Sequence, residues 1–303
     1  MNRHLLTLTD IGAETLRGII DTTIRIKNSP NLVSDKLAST QIGILFEKPS
    51  TRTRISLEVG ISQLGGNAIY LNSQDIQLSR GESIPDTARV FSRYLDALVI
   101  RTKSHKTLEQ LARFSDIPVI NGLSDLFHPL QIIADLATLK ENGLILSKTK
   151  LCFIGDTNNN VSRSMAIGAA LSGLTVVMCS PEKYMPDREF LTSVEKLNGK
   201  IILETNPEKA ISDCDAVYTD VWVSMGDESQ TEVRKRDLQP YQLNKELYNK
   251  ADKKPFILHC LPANKGEEIT EEVFESDRSR IFDQAENRLH SVKAVLLHCL
   301  NKA

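Results

Sequence analysis

The chain has 303 residues, 41% of them hydrophobic and 25% charged, with 37 Lys and Arg set against 39 Asp and Glu. A formal charge of −2 argues against a general polyanion-binding surface, so any anion site has to be built locally. No apolar run reaches the length of a membrane span. Taken in chain order, short apolar segments alternate with stretches of helical character. Ile42 to Phe46, Ala68 to Leu71, Ala97 to Ile100 and Pro118 to Ile120 read as strands. Their near-continuous apolar character fits parallel strands buried on both faces. Helices are expected after Thr51, after Pro85 and after His128-Pro129. A helix end with a Gly turn at Glu141-Asn142-Gly143 marks the expected domain boundary. The pattern then restarts with a strand at Leu151 to Ile154 and a helix from Val161 to Leu171. Further strands follow at Thr175 to Met178, Ile201 to Leu203, Ala216 to Tyr218 and Phe256 to Leu258. The polar stretch from Gly226 to Arg236 reads as a long loop.

Repeated β-α units predict an α/β chain of two doubly wound parallel-sheet domains, with the active site in the cleft between them. The expected domains are 1–141 and 142–284, with a C-terminal helix at 285–303 packing back on the first. Ligands should sit beyond the carboxyl ends of the strands. The five cysteines, Cys152, Cys179, Cys214, Cys260 and Cys299, are odd in number and form no C-x-x-C pair. They are expected to be reduced thiols in a cytoplasmic protein. The N-terminus turns polar by Thr7 without an apolar core, so no secretory signal is expected.

Ser50-Thr51-Arg52-Thr53-Arg54 follows the first strand and opens a helix. Free N–H groups at a helix start attract phosphate, and a guanidinium fork can hold two of its oxygens. Arg101 directly follows the third strand, and His128-Pro129-Leu130-Gln131 opens the helix after the fourth. A histidine there can donate to a carbonyl oxygen, and Gln131 can bind an amide one turn away. Each residue alone has a bland alternative as a cap or a solvated side chain. What singles them out is that all of them fall at one edge of one sheet. Gly155-Asp156-Thr157-Asn158 lacks the G-x-G-x-x-G spacing of a dinucleotide site.

Phe46 to Arg54, Arg101-Thr102 and His128 to Gln131 together resemble the carbamoyl-phosphate site of the aspartate and ornithine carbamoyltransferases, in order and over essentially the whole chain. The resemblance implies that Ser50, Thr51, Arg52 and Thr53 hold phosphate. It also implies that Arg101, His128 and Gln131 hold the carbamoyl group, with Arg101 and His128 polarising its carbonyl. Gln77, in the polar loop from Asn72 to Glu82, would reach a neighbouring subunit's site, and Arg288 would contact carbamoyl phosphate. Leu130 stands where many relatives have Cys.

In the second half, Asp220 to Gly226 resembles the ornithine-binding S-M-G loop, and His259-Cys260-Leu261-Pro262 resembles the H-C-L-P motif of the ornithine branch. Lys48 before Pro49 fits that branch as well. By resemblance, Asn160, Asp220, Ser224 and Met225 bind ornithine, while Cys260 and Leu261 lie at the reacting centre. Asn158 extends the usual loop, which leaves the choice between Asn159 and Asn160 open. The implied reaction needs no metal and no organic cofactor. It takes carbamoyl phosphate and L-ornithine to L-citrulline and phosphate in a homo-oligomer, a trimer in the family, with neither nucleic acid nor membrane as partner. Carbamoyl phosphate is expected to bind first, with the loop after Ser224-Met225-Gly226 closing over ornithine.

Overall fold

The computed structural model describes residues 4–223 and 231–302. By contact the chain divides into two compact units, residues 1–137 with 286–303, and residues 138–285.

The first unit holds four strands, β1 (Gln41–Phe46), β2 (Asn67–Asn72), β3 (Ala97–Arg101) and β4 (Val119–Leu123). They form one parallel sheet in the order β2-β1-β3-β4. Its helices are α1 (Gly12–Asn28), α2 (Thr51–Gln63), α3 (Ile84–Tyr94) and α4 (His105–Phe114), and α5 (Pro129–Glu141) begins in it. The central strands are sealed on both faces: Ile42, Ile44, Leu45, Leu98, Val99 and Ile100 are fully buried. That double burial is why their sequences run apolar without alternation. β2 is an edge strand whose first side chains alternate toward solvent. The chain order reverses between β1 and β3, so a crevice opens at their carboxyl ends. The β3–β4 register shifts between Ile100 and Arg101. Gly122 sits opposite this irregularity, where a Cβ would come 3.1 Å from the Ile100 carbonyl oxygen. The shift re-aims Arg101 at the rim of the sheet.

The second unit repeats the plan with β5 (Lys150–Ile154), β6 (Thr175–Cys179), β7 (Lys200–Glu204), β8 (Ala216–Thr219) and β9 (Phe256–His259). The order is β7-β6-β5-β8-β9, all parallel, and the reversal falls between β5 and β8. Its helices are α6 (Asn160–Ser172), α7 (Arg188–Glu195), α8 (Pro207–Ile211), α9 (Thr231–Leu238), α10 (Lys245–Tyr248) and α11 (Glu271–Phe274). The last helix, α12 (Ile281–Cys299), starts in this unit, and its residues from Glu286 onward belong to the first. There Lys27 Nζ meets Glu286 Oε2 at 3.1 Å and buried Lys293 donates to Gln63 Oε1 at 2.8 Å, tying α12 to α1 and α2.

All nine expected strands are present, within a residue or two of their expected ends except β4, which runs three residues further, to Leu123. The long polar loop is not: Thr231 to Arg236 lies in α9, and Gly226 to Gln230 lie outside the described residues. This helix has no apolar stripe to betray it. Arg234 pairs with Asp156, Lys235 with Glu267, and only Leu238 is buried. The Asn72 to Glu82 loop folds as two 3-10 turns, Ser73–Asp75 and Gln77–Arg80. Ile76 and Leu78 pin it to the core under α3 and α4, while Gln77 faces solvent.

Candidate active site

Each sheet presents one cluster of polar side chains at its switch point. In the first unit, Ser50 caps α2 by accepting from the Thr53 N–H at 3.4 Å. A Ser at this position ends the strand-to-helix turn and leaves the α2 N–H groups facing outward. Glu47 binds this turn to the neighbouring one. Its N–H donates to the Arg101 carbonyl at 2.9 Å, and its Oε2 accepts from Thr102 Oγ1 at 2.8 Å and the Lys103 N–H at 2.7 Å. Thus the phosphate-type turn and Arg101 share one rigid frame.

Arg101 is 7% exposed, and its Nε is buried with no hydrogen-bond partner among the described residues. Burial, then Arg288, then Arg52 bring its pKa down to about 10. Three guanidinium groups therefore face one another across a small space. Arg288 reaches them from α12, donating through Nη1 to Gln131 Oε1 and through Nη2 to Thr53 Oγ1 at 3.3 Å. Gln131 passes its own amide hydrogen to buried Asp135 at 2.8 Å. His128 is 4% exposed, with Nε2 3.5 Å from Arg288 Nη1. Burial, followed by the charges of Arg288 and Arg101, pushes its pKa well below the usual imidazole value, so the ring is neutral. Thr53, His128, Gln131 and Arg288 are in contact, Arg101 feels the charges of Arg288 and Arg52, and Ser50 and exposed Thr51 open the same helix as Thr53. Arg54 does not join it. This side chain turns outward to Glu58 at 2.9 Å and lies 3.7 Å above the Tyr70 ring. Gln77 stands apart on its own exposed turn.

The second cluster carries the opposite sign. Asp220 follows β8 and is 8% exposed. Burial raises its pKa, against the opposing pull of His259, the Cys260 thiol and the Val221 N–H. Cys260 Sγ donates to Asp220 Oδ1 at 3.0 Å, and Asn159 Nδ2 lies 3.4 Å from Oδ2. Asn159 is also the cap of α6, accepting from the Val161 and Ser162 N–H groups at 2.9 Å. Asn160 is the first helical residue, and the side chain placed beside Asp220 is that of Asn159. Ser224 and Met225 lie outside the described residues.

Beneath Cys260, His259 is fixed at both ring nitrogens. Nδ1 accepts from the Leu261 N–H at 2.9 Å, so the proton sits on Nε2, which faces Glu268 Oε1 at 3.1 Å. Gln284 holds the His259 N–H at 2.9 Å and in turn bonds the Tyr218 hydroxyl at 3.0 Å. Leu261 takes a left-handed backbone, φ +60°, which a side chain of this size adopts only under local constraint. Asp220, His259 and Cys260 offer atoms within 4.8 Å of one another. Because both imidazole nitrogens are already engaged, the trio works as a hydrogen-bonded support. Glu268, Gln284 and Asp156 carry no sequence signature; the one available hint was a His directly before Cys260 at a strand end.

Comparison with known proteins also divides the chain in two, with all of α12 in the second match. Residues 3–141 match the family described as "Aspartate/ornithine carbamoyltransferase, carbamoyl-P binding domain", and residues 147–299 match its "Asp/Orn binding domain". The chain is 45% identical over 302 residues to an ornithine carbamoyltransferase of Archaeoglobus fulgidus, covering 99% of this chain and 98% of that one. Against the enzyme of that name from Methanoculleus marisnigri the identity is 44%, covering 99% and 97%. The solved ornithine carbamoyltransferase of Pyrococcus furiosus superposes with a TM-score of 0.92 at 44% identity, covering 98% of this chain and 96% of that one.

The charge crowding predicts the behaviour of His128. Followed by imidazole NMR, its titration midpoint should fall below 6.5 in the wild-type chain, and Arg288→Met should move it upward. A wild-type midpoint at or above 6.5 would contradict the electrostatic picture.

Proposed function

The chain belongs to the aspartate/ornithine carbamoyltransferase family, and from that premise we propose that it transfers the carbamoyl group of carbamoyl phosphate to the side-chain amine of L-ornithine, giving L-citrulline and phosphate. The observation that carries the choice of acceptor is Asp220, a buried carboxylate braced by the Cys260 thiol. Such a group suits an ammonium donor and would repel the second carboxylate of aspartate.

In this reading Ser50, Thr51, Arg52 and Thr53 hold the phosphate through the α2 N–H groups, hydroxyls and guanidinium. Arg101 and neutral His128 meet the charge that grows on the carbamoyl oxygen as the amine attacks. Gln131 and Arg288 bind the carbamoyl group on its other side, and Leu261 contributes from the second cluster. The new C–N bond forms, the C–O bond to phosphorus breaks, and phosphate departs with the electron pair. A free lysine-like amine has a pKa of about 10.4, so deprotonating it at pH 7 costs about 4.6 kcal/mol. Asp220, whose pKa burial raises, takes that proton, and the departing phosphate takes the one released from nitrogen as the C–N bond forms. The amino-acid end of ornithine is assigned to Asn160, Ser224 and Met225. Carbamoyl phosphate binds first, because its dianion neutralises guanidinium charge that would repel a cationic acceptor.

The same reading places the chain in a homotrimer in the cytoplasm. Ile55 and Val59 on α2 and Ile69 on edge strand β2 are exposed, and β2 runs directly into the turn that carries Gln77. An apolar patch next to a polar loop is the expected form of a surface that a second copy covers. No disulfide joins the five cysteines, as suits a reducing compartment. No helix among the described residues is long and apolar enough to cross a membrane.

Three experiments test this. Citrulline formation should appear with ornithine and not with aspartate or putrescine. Arg52→Gln and Arg101→Gln should each lower kcat/KM for carbamoyl phosphate by at least about tenfold, the worth of one charge-assisted hydrogen bond. Near-normal kinetics in both folded variants would sink the phosphate assignment. If Gln77 serves a neighbouring subunit, mixing inactive Gln77→Ala and Arg101→Gln proteins should restore activity in hybrid oligomers. Verified subunit exchange without recovery would count against a shared site.

A further inference from the structure

We infer that Arg234 is a positioning and specificity residue for the amino-acid acceptor: by pairing with Asp156 it locks the loops bearing Asn159 and Asp220 into one frame and removes a competing carboxylate from beside them. The inference rests on the reading of the second cluster as the ornithine half of the site.

The geometry starts from α9, a helix with almost no apolar content. Arg234 Nη1 meets Asp156 Oδ2 at 2.7 Å, with the two side chains only 13% and 7% exposed. The same nitrogen lies 3.4 Å from the Trp222 carbonyl oxygen. One guanidinium therefore joins the turn after β5 to the turn after β8, the two strands flanking the switch point. Asp156 transmits this hold in two ways. Its Oδ1 accepts from the Asn158 N–H at 3.0 Å, and its carbonyl accepts from Asn159 Nδ2 at 3.1 Å. Asn159 Nδ2 is also the atom 3.4 Å from Asp220 Oδ2. A continuous path thus runs from Arg234 through Asp156 and Asn159 to Asp220. Trp222 closes the arrangement: it is 3% exposed and packs over Gly155, where a Cβ would stand 3.5 Å from Nε1.

Charge gives the pair a second consequence. Ornithine brings two ammonium groups, and this cluster has buried carboxylates at both Asp156 and Asp220. With Arg234 in place Asp156 is neutralised, and Asp220 is left as the carboxylate for the reacting amine. Without Arg234, Asp156 would lose its guanidinium partner and become a decoy for either ammonium group. Arginine suits the task because one planar group can bridge a carboxylate and a carbonyl at once.

The test compares wild type, Arg234→Lys, Arg234→Gln and the double variant Asp156→Asn/Arg234→Gln as full chains. Arg234→Gln should raise the ornithine KM by at least about tenfold, while the carbamoyl-phosphate KM stays within about twofold. Arg234→Lys should fall between. The double variant should regain part of the loss, because the decoy carboxylate is gone. Trp222 is the only tryptophan, so its emission reports the same frame without turnover. It should shift to the red in Arg234→Gln. A parallel rise of both KM values with a lowered Tm would reduce Arg234 to scaffolding and overturn the inference. So would an ornithine KM within about twofold of wild type, or an unmoved Trp222 emission. If wild type makes no citrulline, the acceptor reading falls by itself, and the Trp222 shift in Arg234→Gln still decides whether the pair holds the two turns together.

Discussion

Positive charge brought together before any substrate arrives is the constraint on which the rest of this structure depends. Arg52, Arg101 and Arg288 come from a helix start, a strand end and the last helix, and meet although like charges repel and burial penalises them. Arg101 has no ion pair among the described residues, and its pKa has fallen to about 10. The chain holds this arrangement with hydrogen bonds: Arg288 to Gln131 and Thr53, Gln131 to Asp135, and the Glu47 carboxylate across the two neighbouring turns. A dianion relieves the strain in one step, and preorganised charge of this kind has no reorganisation left to do during the reaction. Burial, with the same field added, keeps His128 neutral, so a hydrogen-bonding ring, and not another cation, stands beside the arginines.

The second unit answers with the opposite charge at the equivalent place. Asp220 stands at the switch point of its sheet as Arg101 stands at that of the first. Its support is layered. Cys260 donates to it, His259 fixes the backbone on either side of Cys260, and Glu268 and Gln284 fix His259. One fold plan used twice thus supplies an anion site and a cation site, and the chemistry of each comes from the few residues at the strand ends.

Much of this could be read from the sequence, for identifiable reasons. Strands buried on both faces leave unbroken apolar runs, and a Ser cap before Thr51-Arg52-Thr53 leaves a local signature of an anion-binding helix start. Contacts made only by the fold left none. Arg288 meets Gln131 from 157 positions away, so family resemblance was the sole route to it. Glu268 meets His259 from nine positions away, beyond a left-handed Leu261 at φ +60°, and no local pattern marks that contact. Helix α9 was missed because ion pairs with Asp156 and Glu267, not an apolar stripe, hold it down. Arg54, outside the implied phosphate set, turns to Glu58 one helical turn away. Spacing alone does not separate Asn159 from Asn160 as the ornithine ligand; in the fold Asn159 caps α6 and Asn160 is its first helical residue.

If the crowded guanidinium groups are what the first substrate satisfies, the site must bind that substrate with no help from the second. Calorimetry with a non-reacting carbamoyl-phosphate analogue, and with norvaline as an ornithine lacking the attacking amine, measures this directly. The account predicts that the analogue binds the free chain, more weakly as salt is raised, and that norvaline binds tighter once the analogue is present, with the same factor appearing in reverse for the analogue. An analogue that binds only after norvaline, or a norvaline affinity indifferent to the analogue, would contradict it.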